Sequence, residues 1–165
     1  MTLFEEEVKK IVDRMDSVEI NDSLTKSVKF DWGETKELHK FVQAKGEEST
    51  PLVWSVNRLD SETSFGSWSR NAEFNFCHVE TRTDLLNTKR IEEGYSFKKV
   101  LSPMWEDFKK KLSTSHTMWI KKGSVTIIKY PDYTVGGKRP QNGVWDIMKV
   151  RATIEFTKPC SVCCD

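Results

Sequence analysis

The sequence predicts an α+β domain in which helices pack on a mostly antiparallel sheet of about four strands, in the order α-α-β-β-α-β-β. Apolar residues recur at three- and four-residue steps in three segments and alternate or run continuously in four others. The 165 residues suffice for one domain with its own core and leave no room for a second. The expected domain spans residues 1–159, with 160–165 as a flexible cysteine-containing tail.

The first helix is read from Phe4, Val8, Ile11, Val12 and Met15, which fall on one face, with Thr2 and Glu5 placed as a capping box. A short second helix, Glu34 to Ala44, puts Leu38, Phe41 and Val42 together and stops at Gly46. Leu52 to Val56 is a continuous apolar run after Pro51, the pattern of a strand buried on both faces. Asp60 to Ser67 is polar and reads as a loop to the next strand. That strand, Trp68 to Val79, points Ala72, Phe74 and Phe76 one way and Asn71, Glu73, Asn75 and Cys77 the other, and pairs with Leu52 to Val56.

Ile91 to Leu112 carries the strongest helical period, through Phe97, Leu101, Met104, Trp105, Phe108 and Leu112. Pro103 inside it either kinks the helix or starts a new one capped by Ser102. Trp119 to Tyr130 is a strand holding Val125, Ile127 and Ile128. Ile147 to Phe156 alternates Met148, Val150, Ala152, Ile154 and Phe156 against polar residues, as a half-buried strand does. Between these two lies Pro131 to Gly143, a long polar loop of the kind that often carries function.

Composition excludes several classes. Aromatics make up 11% of the chain, with six Trp and nine Phe, and the net charge is +1, so the chain is not disordered by composition. No run approaches the roughly 18 apolar residues of a membrane-spanning helix. The opening MTLFEEEVKK lacks the apolar core of a secretory signal, and the cysteine usage fits a reduced compartment. Balanced charge makes no overall case for nucleic acid or an acidic membrane.

A search for chemistry finds no catalytic or metal constellation. His39, His78 and His116 have no partner at triad or ligand spacing, and Gly136-Gly137-Lys138-Arg139 lacks the spacing of a phosphate loop. Cys160, Cys163 and Cys164 supply three zinc ligands at most, with Cys77 needed as a fourth from a distant strand, so exposed thiols are the simpler account. No cofactor is expected. Of the six tryptophans, Trp54 and Trp105 fall on core positions, leaving Trp32, Trp68, Trp119 and Trp145 at element edges as candidates for subunit contacts.

The succession of an amphipathic opening helix, PLVWSV (Pro51 to Val56), WSRNAEFNF (Trp68 to Phe76), FKKVLSPMWEDF (Phe97 to Phe108) and VWDIMKVRATIEF (Val144 to Phe156) before Lys158 to Cys160 resembles small structural proteins of tailed bacteriophages. It is most similar to tail-terminator, or tail-completion, proteins of phages infecting Bacteroidetes. The resemblance implies a non-enzymatic virion protein, assembled in the host cytoplasm, whose ring of about six copies caps the tail tube and joins it to the head-side connector. Its partners would be further copies, the tube protein and neck proteins, with DNA only as cargo in the channel and no membrane. Contact residues are then expected at Trp32, Trp68, Trp119 and Trp145 and in the long loop at Tyr133, Lys138 and Arg139. The last two either line the passage or are solvated loop charges. A head-completion or stopper protein is the neighbouring alternative, and a small enzyme with a scattered site at Arg70, Glu73 and His78 is the unrelated one.

Overall fold

The computed structural model describes residues 3–21, 23–81, 95–134 and 143–157. Helix α1 (Leu3–Val12) buries the predicted stripe of Phe4, Val8, Ile11 and Val12. Two short strands, β1 (Val18–Asn21) and β2 (Leu24–Lys26), pair only with each other. Strand β3 (Lys29–Gly33) leads into α2 (Thr35–Lys45), whose start is fixed by a capping box between Glu34 and Glu37, and a 3-10 turn (Gly46–Ser49) leads to β4 (Leu52–Val56). Next come β5 (Ser61–Ser64) and the 14-residue β6 (Ser67–Glu80). A π-helical segment (Tyr95–Leu101) runs into α3 (Ser102–Ser113), followed by β7 (Met118–Ile120), β8 (Thr126–Tyr130) and the 14-residue β9 (Val144–Thr157).

The expected four-stranded, mostly antiparallel sheet in the order α-α-β-β-α-β-β is not what forms. Among the described residues, three α-helices accompany a seven-stranded mixed sheet, ordered β3-β4-β6-β9-β7 with β5 also on β6 and β8 also on β9, plus the separate two-stranded β1–β2 sheet. The mixed character comes from β3, whose chain crosses over through α2 and returns as β4, so that the two lie parallel. Every other pairing in the sheet is antiparallel. The predicted strand Trp119 to Tyr130 is two strands, broken where Gly123 takes a φ of 76°, a conformation that costs glycine little. Pro103 is the second residue of α3, at the junction where the π-helical segment gives way to the α-helix. The residue at the cap is Leu101 rather than Ser102.

Strand alternation divides the core into two. On one face Ala72, Phe74, Phe76, Met148, Val150, Ala152, Ile154 and Phe156 meet Phe4 and Val8 of α1, Phe97 and Val100 of the π-helical segment, and Met104, Trp105 and Phe108 of α3. The rings interlock: Phe108 lies 5.2 Å from Phe74 and 5.7 Å from Phe76, and Phe4 lies 5.5 Å from Phe156. Each such ring contributes on the order of 1.5–3 kcal/mol by leaving water. On the other face α2 covers only one end, burying Leu38 and Val42 against Leu52, Trp54, Cys77, Trp145 and Ile147. The rest of that face carries Asn71, Glu73, Lys149, Arg151 and Thr153, with no helix over it among the described residues.

Candidate interaction surfaces

The first surface is the β5–β6 hairpin. Its strands join through Phe65 and Gly66, and Gly66 supplies the φ of 75° that so tight a turn needs. Phe65 is fully exposed and nearby Leu59 is 92% exposed, so two large apolar side chains stand uncovered by the described residues. Every residue of β5 is exposed as well.

The root of this hairpin is held hard. Arg70 on β6 is buried and its Nε donates to Asp60 Oδ1 at 2.5 Å, immediately before β5, while its terminal nitrogen pairs with Glu5 of α1. The same guanidinium lies 3.9 Å above the Phe4 ring. The sequence marks Glu5 for a helix cap, but its side chain is buried and turned inward to Arg70. Charge, hydrogen bonding and ring stacking thus tie helix, strand and hairpin root together.

The opposite edge of the sheet is the second surface. There β7 and β8 lie end to end along β9, and Trp119, Val125 and Ile127 are 41%, 38% and 44% exposed. The Trp119 indole N–H donates to Glu155 Oε2 at 2.6 Å, which fixes the ring at the rim. Lys121, Lys122 and Lys129 on this edge are exposed. The edge is made of strands only three and five residues long, and Lys129 reaches back over the Phe97 ring with its Nζ 5.6 Å from the centroid, so apolar and charged groups alternate along it.

Between the two edges the uncovered face forms a groove of about 700 Å³. Its floor is Glu73, buried although no helix covers it, because the stems of its partners do so. Arg151 opposite donates from Nε at 3.0 Å, Lys149 approaches to 3.2 Å and Arg58 to 3.1 Å. Burial by itself would raise the Glu73 carboxyl, but hydrogen bonds from Arg151 and Lys149, with their charges, hold it below its ordinary 4.5. The carboxylate is already satisfied by its own chain, so the groove floor is a structural ion cluster.

The residues expected from sequence scatter across these surfaces. Trp119 lies on the β7–β8 edge. Trp32 is half-buried on β3 and stacked on Phe30 with centroids 6.2 Å apart, and Trp68 is half-buried against the first core. Trp145 is 1% exposed, with the rings of His39 and Tyr133 packed against it at 5.7 and 5.2 Å, so its surface is spent inside the second core. Tyr133 shares its hydroxyl with His39 Nε2 at 3.3 Å. Lys138, Arg139, Cys160, Cys163 and Cys164 lie outside the described residues. Arg70, Glu73 and His78 do not assemble: Arg70 and His78 share one face of β6 at opposite ends, roughly 26 Å apart at about 3.3 Å per residue, while Glu73 is on the other face.

Sequence reasoning missed Leu59 and Phe65 because the hairpin reads as a polar loop. The Phe65-Gly66 pair between two short polar runs was the available signal. Among the described residues no three His, Cys, Asp or Glu side chains gather as a metal site, and no helix is long and apolar enough to cross a membrane. Comparison with protein-family models and with curated proteins gives no match.

Proposed function

We propose that this chain is a structural virion protein of a tailed bacteriophage, a tail terminator whose ring of copies closes the tail tube and meets the head-side connector. The observation that carries the reading is the exposure of large apolar side chains at two unlike places on opposite edges of one sheet: Leu59 and Phe65 by β5, and Trp119, Val125 and Ile127 along β7 and β8. A subunit that must touch a different neighbour on each side needs two unlike complementary surfaces, and a ring results when the rotation between copies closes. The phrases that resemble the phage proteins support it further, since they fall on β4, β6, the π-helical segment with α3, and β9, the framework that holds both edges.

The function is then geometric. Copies bind edge to edge, the ring ends tube growth, and one of its rims offers a platform to the neck. Electron microscopy of the purified protein, with and without tail tubes, tests this. The expected particle is a ring of about six copies that seats on tube ends. Rings that bind portal assemblies and ignore tubes would assign the chain to a head-completion or stopper role instead. A protein that stays monomeric and binds neither tubes nor heads would end both readings.

A further inference from the structure

We infer that the groove on the uncovered face of β6 and β9 binds a small phosphate monoester with a hydroxylated body, of the sugar-phosphate class, through the guanidinium groups of Arg58 and Arg151. The inference stands on this face of one copy and holds for a monomer and a ring alike.

It begins with an imbalance of charge. Glu73 is satisfied by its own chain, but the groups that satisfy it are not. Three cations, Arg58, Lys149 and Arg151, share that one carboxylate. Neighbouring acids are engaged elsewhere: Glu155 by the Trp119 indole, Asp60 by Arg70, and Glu34 and Glu37 in the cap of α2. Glu62 is paired with Trp68 and shares its face, the one turned to the first core. In a chain whose formal net charge is only +1, this local surplus of positive charge is a distinct place for an anion.

The geometry suits a phosphate. Arg58 Nη2 lies 3.1 Å and Arg151 Nε 3.0 Å from the same oxygen, Glu73 Oε2, so the two nitrogens stand no more than 6.1 Å apart, the sum of those distances. One phosphate group can accept from both side chains at once. They are 48% and 55% exposed, and each guanidinium carries several N–H donors in a planar fork that matches oxyanions. Among the described residues Glu73 engages one nitrogen of each, which leaves the others for a ligand.

The rest of the lining points to the body that the phosphate would carry. The side chains of Asn57, Ser61 and Ser69 make no hydrogen bond among the described residues, and Asn71, whose Oδ1 accepts from Thr153, keeps its amide N–H groups. At about 700 Å³ the groove falls within the roughly 300–1,000 Å³ of small-ligand sites, far more room than a bare phosphate ion fills. Its charge is gathered at one point and no aromatic ring lines it, whereas a nucleic-acid strand needs a basic track and stacking platforms.

Titration calorimetry of the full chain at low salt tests this with ribose 5-phosphate, inorganic phosphate and a single-stranded oligonucleotide lacking a terminal phosphate. Ribose 5-phosphate should bind at one site per chain, more tightly than inorganic phosphate, and more weakly as salt is added. Arg58→Gln and Arg151→Gln should each weaken it about tenfold or more, since a charge-assisted hydrogen bond is lost. Glu73→Gln should tighten it by removing the negative charge beside the phosphate, an effect of opposite sign that mere disturbance of the face would not produce. Ser61→Trp, at an exposed position on β5, should obstruct the sugar and lower its affinity more than that of inorganic phosphate. Circular dichroism and thermal melting establish that each variant is folded. No binding at millimolar ribose 5-phosphate, or binding unchanged by both arginine substitutions, overturns the inference. Equal affinity for ribose 5-phosphate and inorganic phosphate overturns the sugar body. Tight oligonucleotide binding that both arginine substitutions abolish would assign the groove to a nucleic-acid strand and overturn the small ligand.

Discussion

Replacing Arg70 by alanine should cost about 3–5 kcal/mol of folding stability, far more than an ordinary surface ion pair. Arg70 and Glu5 have side chains only 2% and 3% exposed, so the substitution strands a carboxylate in the protein interior without its arginine. Asp60, at 17% exposed, can turn to water and adds less. The contact with the Phe4 ring is lost as well. For a domain of this size the loss translates to a fall in melting temperature of roughly 6–20 °C. Urea denaturation gives the free energy directly, with an unchanged m-value showing that the unfolded state is not the cause. Because a buried pair can be exchanged for well-packed hydrophobic groups of similar volume at small cost, Arg70→Met combined with Glu5→Leu should recover most of the stability. Amide exchange in residues 61–69 should quicken in Arg70→Ala, since the hairpin root is freed. A loss below about 1 kcal/mol, or a double variant that merely sums the two single losses, would refute the clamp.

Glu73 should make stability depend on acid. Its folded carboxyl titrates below 4.5, so the stability it contributes is fully present above the unfolded value and is lost as pH falls through the folded one. Urea melts from pH about 6 to about 3 should show wild type losing its advantage over Glu73→Gln across that window. Cys77 should be inert in the native protein, because burial pushes its thiol up to about 12 against a smaller opposing pull from the Trp145 indole. In a chain with Cys160, Cys163 and Cys164 changed to serine, a thiol reagent at mildly alkaline pH should react only after denaturation.

Much of the frame is legible from residue pattern. The stripe of α1, the buried run of β4 and the alternation of β9 all announce themselves, because in each a long apolar period matches one element and one buried face. What pattern does not disclose is short or polar. β1 and β2 are four and three residues long, too brief for any period, and β5 (Ser-Glu-Thr-Ser) has no apolar residue, its pairing being imposed by the turn at Phe65 and Gly66. β3 alternates Phe30 and Trp32 with Lys29 and Asp31, yet five residues were not enough to betray a parallel edge. Glu73 and Asn75 look solvent-facing by alternation and are buried, Glu73 among the lysine and arginine stems that pair with it and Asn75 between Trp54 and Lys149 on the neighbouring strands. The interaction surfaces were legible only as a surplus of aromatics. Trp119 does lie on one of them, whereas Trp145 was drawn into the second core by His39 and Tyr133, contacts that arise from chain folding and leave no trace in spacing.

The full-length pairing of β6 with β9 has a consequence for how the protein is made. Partners in that ladder are separated by 64 residues at Glu80–Val144 and by 90 at Ser67–Thr157 (144 − 80 and 157 − 67). At translation rates of roughly 5–20 residues per second, residues of β6 wait on the order of 3–18 s for their partners on β9 to be synthesised. Through that interval the strand that becomes the middle of the sheet, with Phe74 and Phe76 on it, has only β4 and β5 as partners. Such non-local closure is slow even once the chain is complete. The nascent protein is therefore most prone to wrong pairing just before its last strand arrives, and its yield in the cell should depend on chaperones more than its final stability suggests.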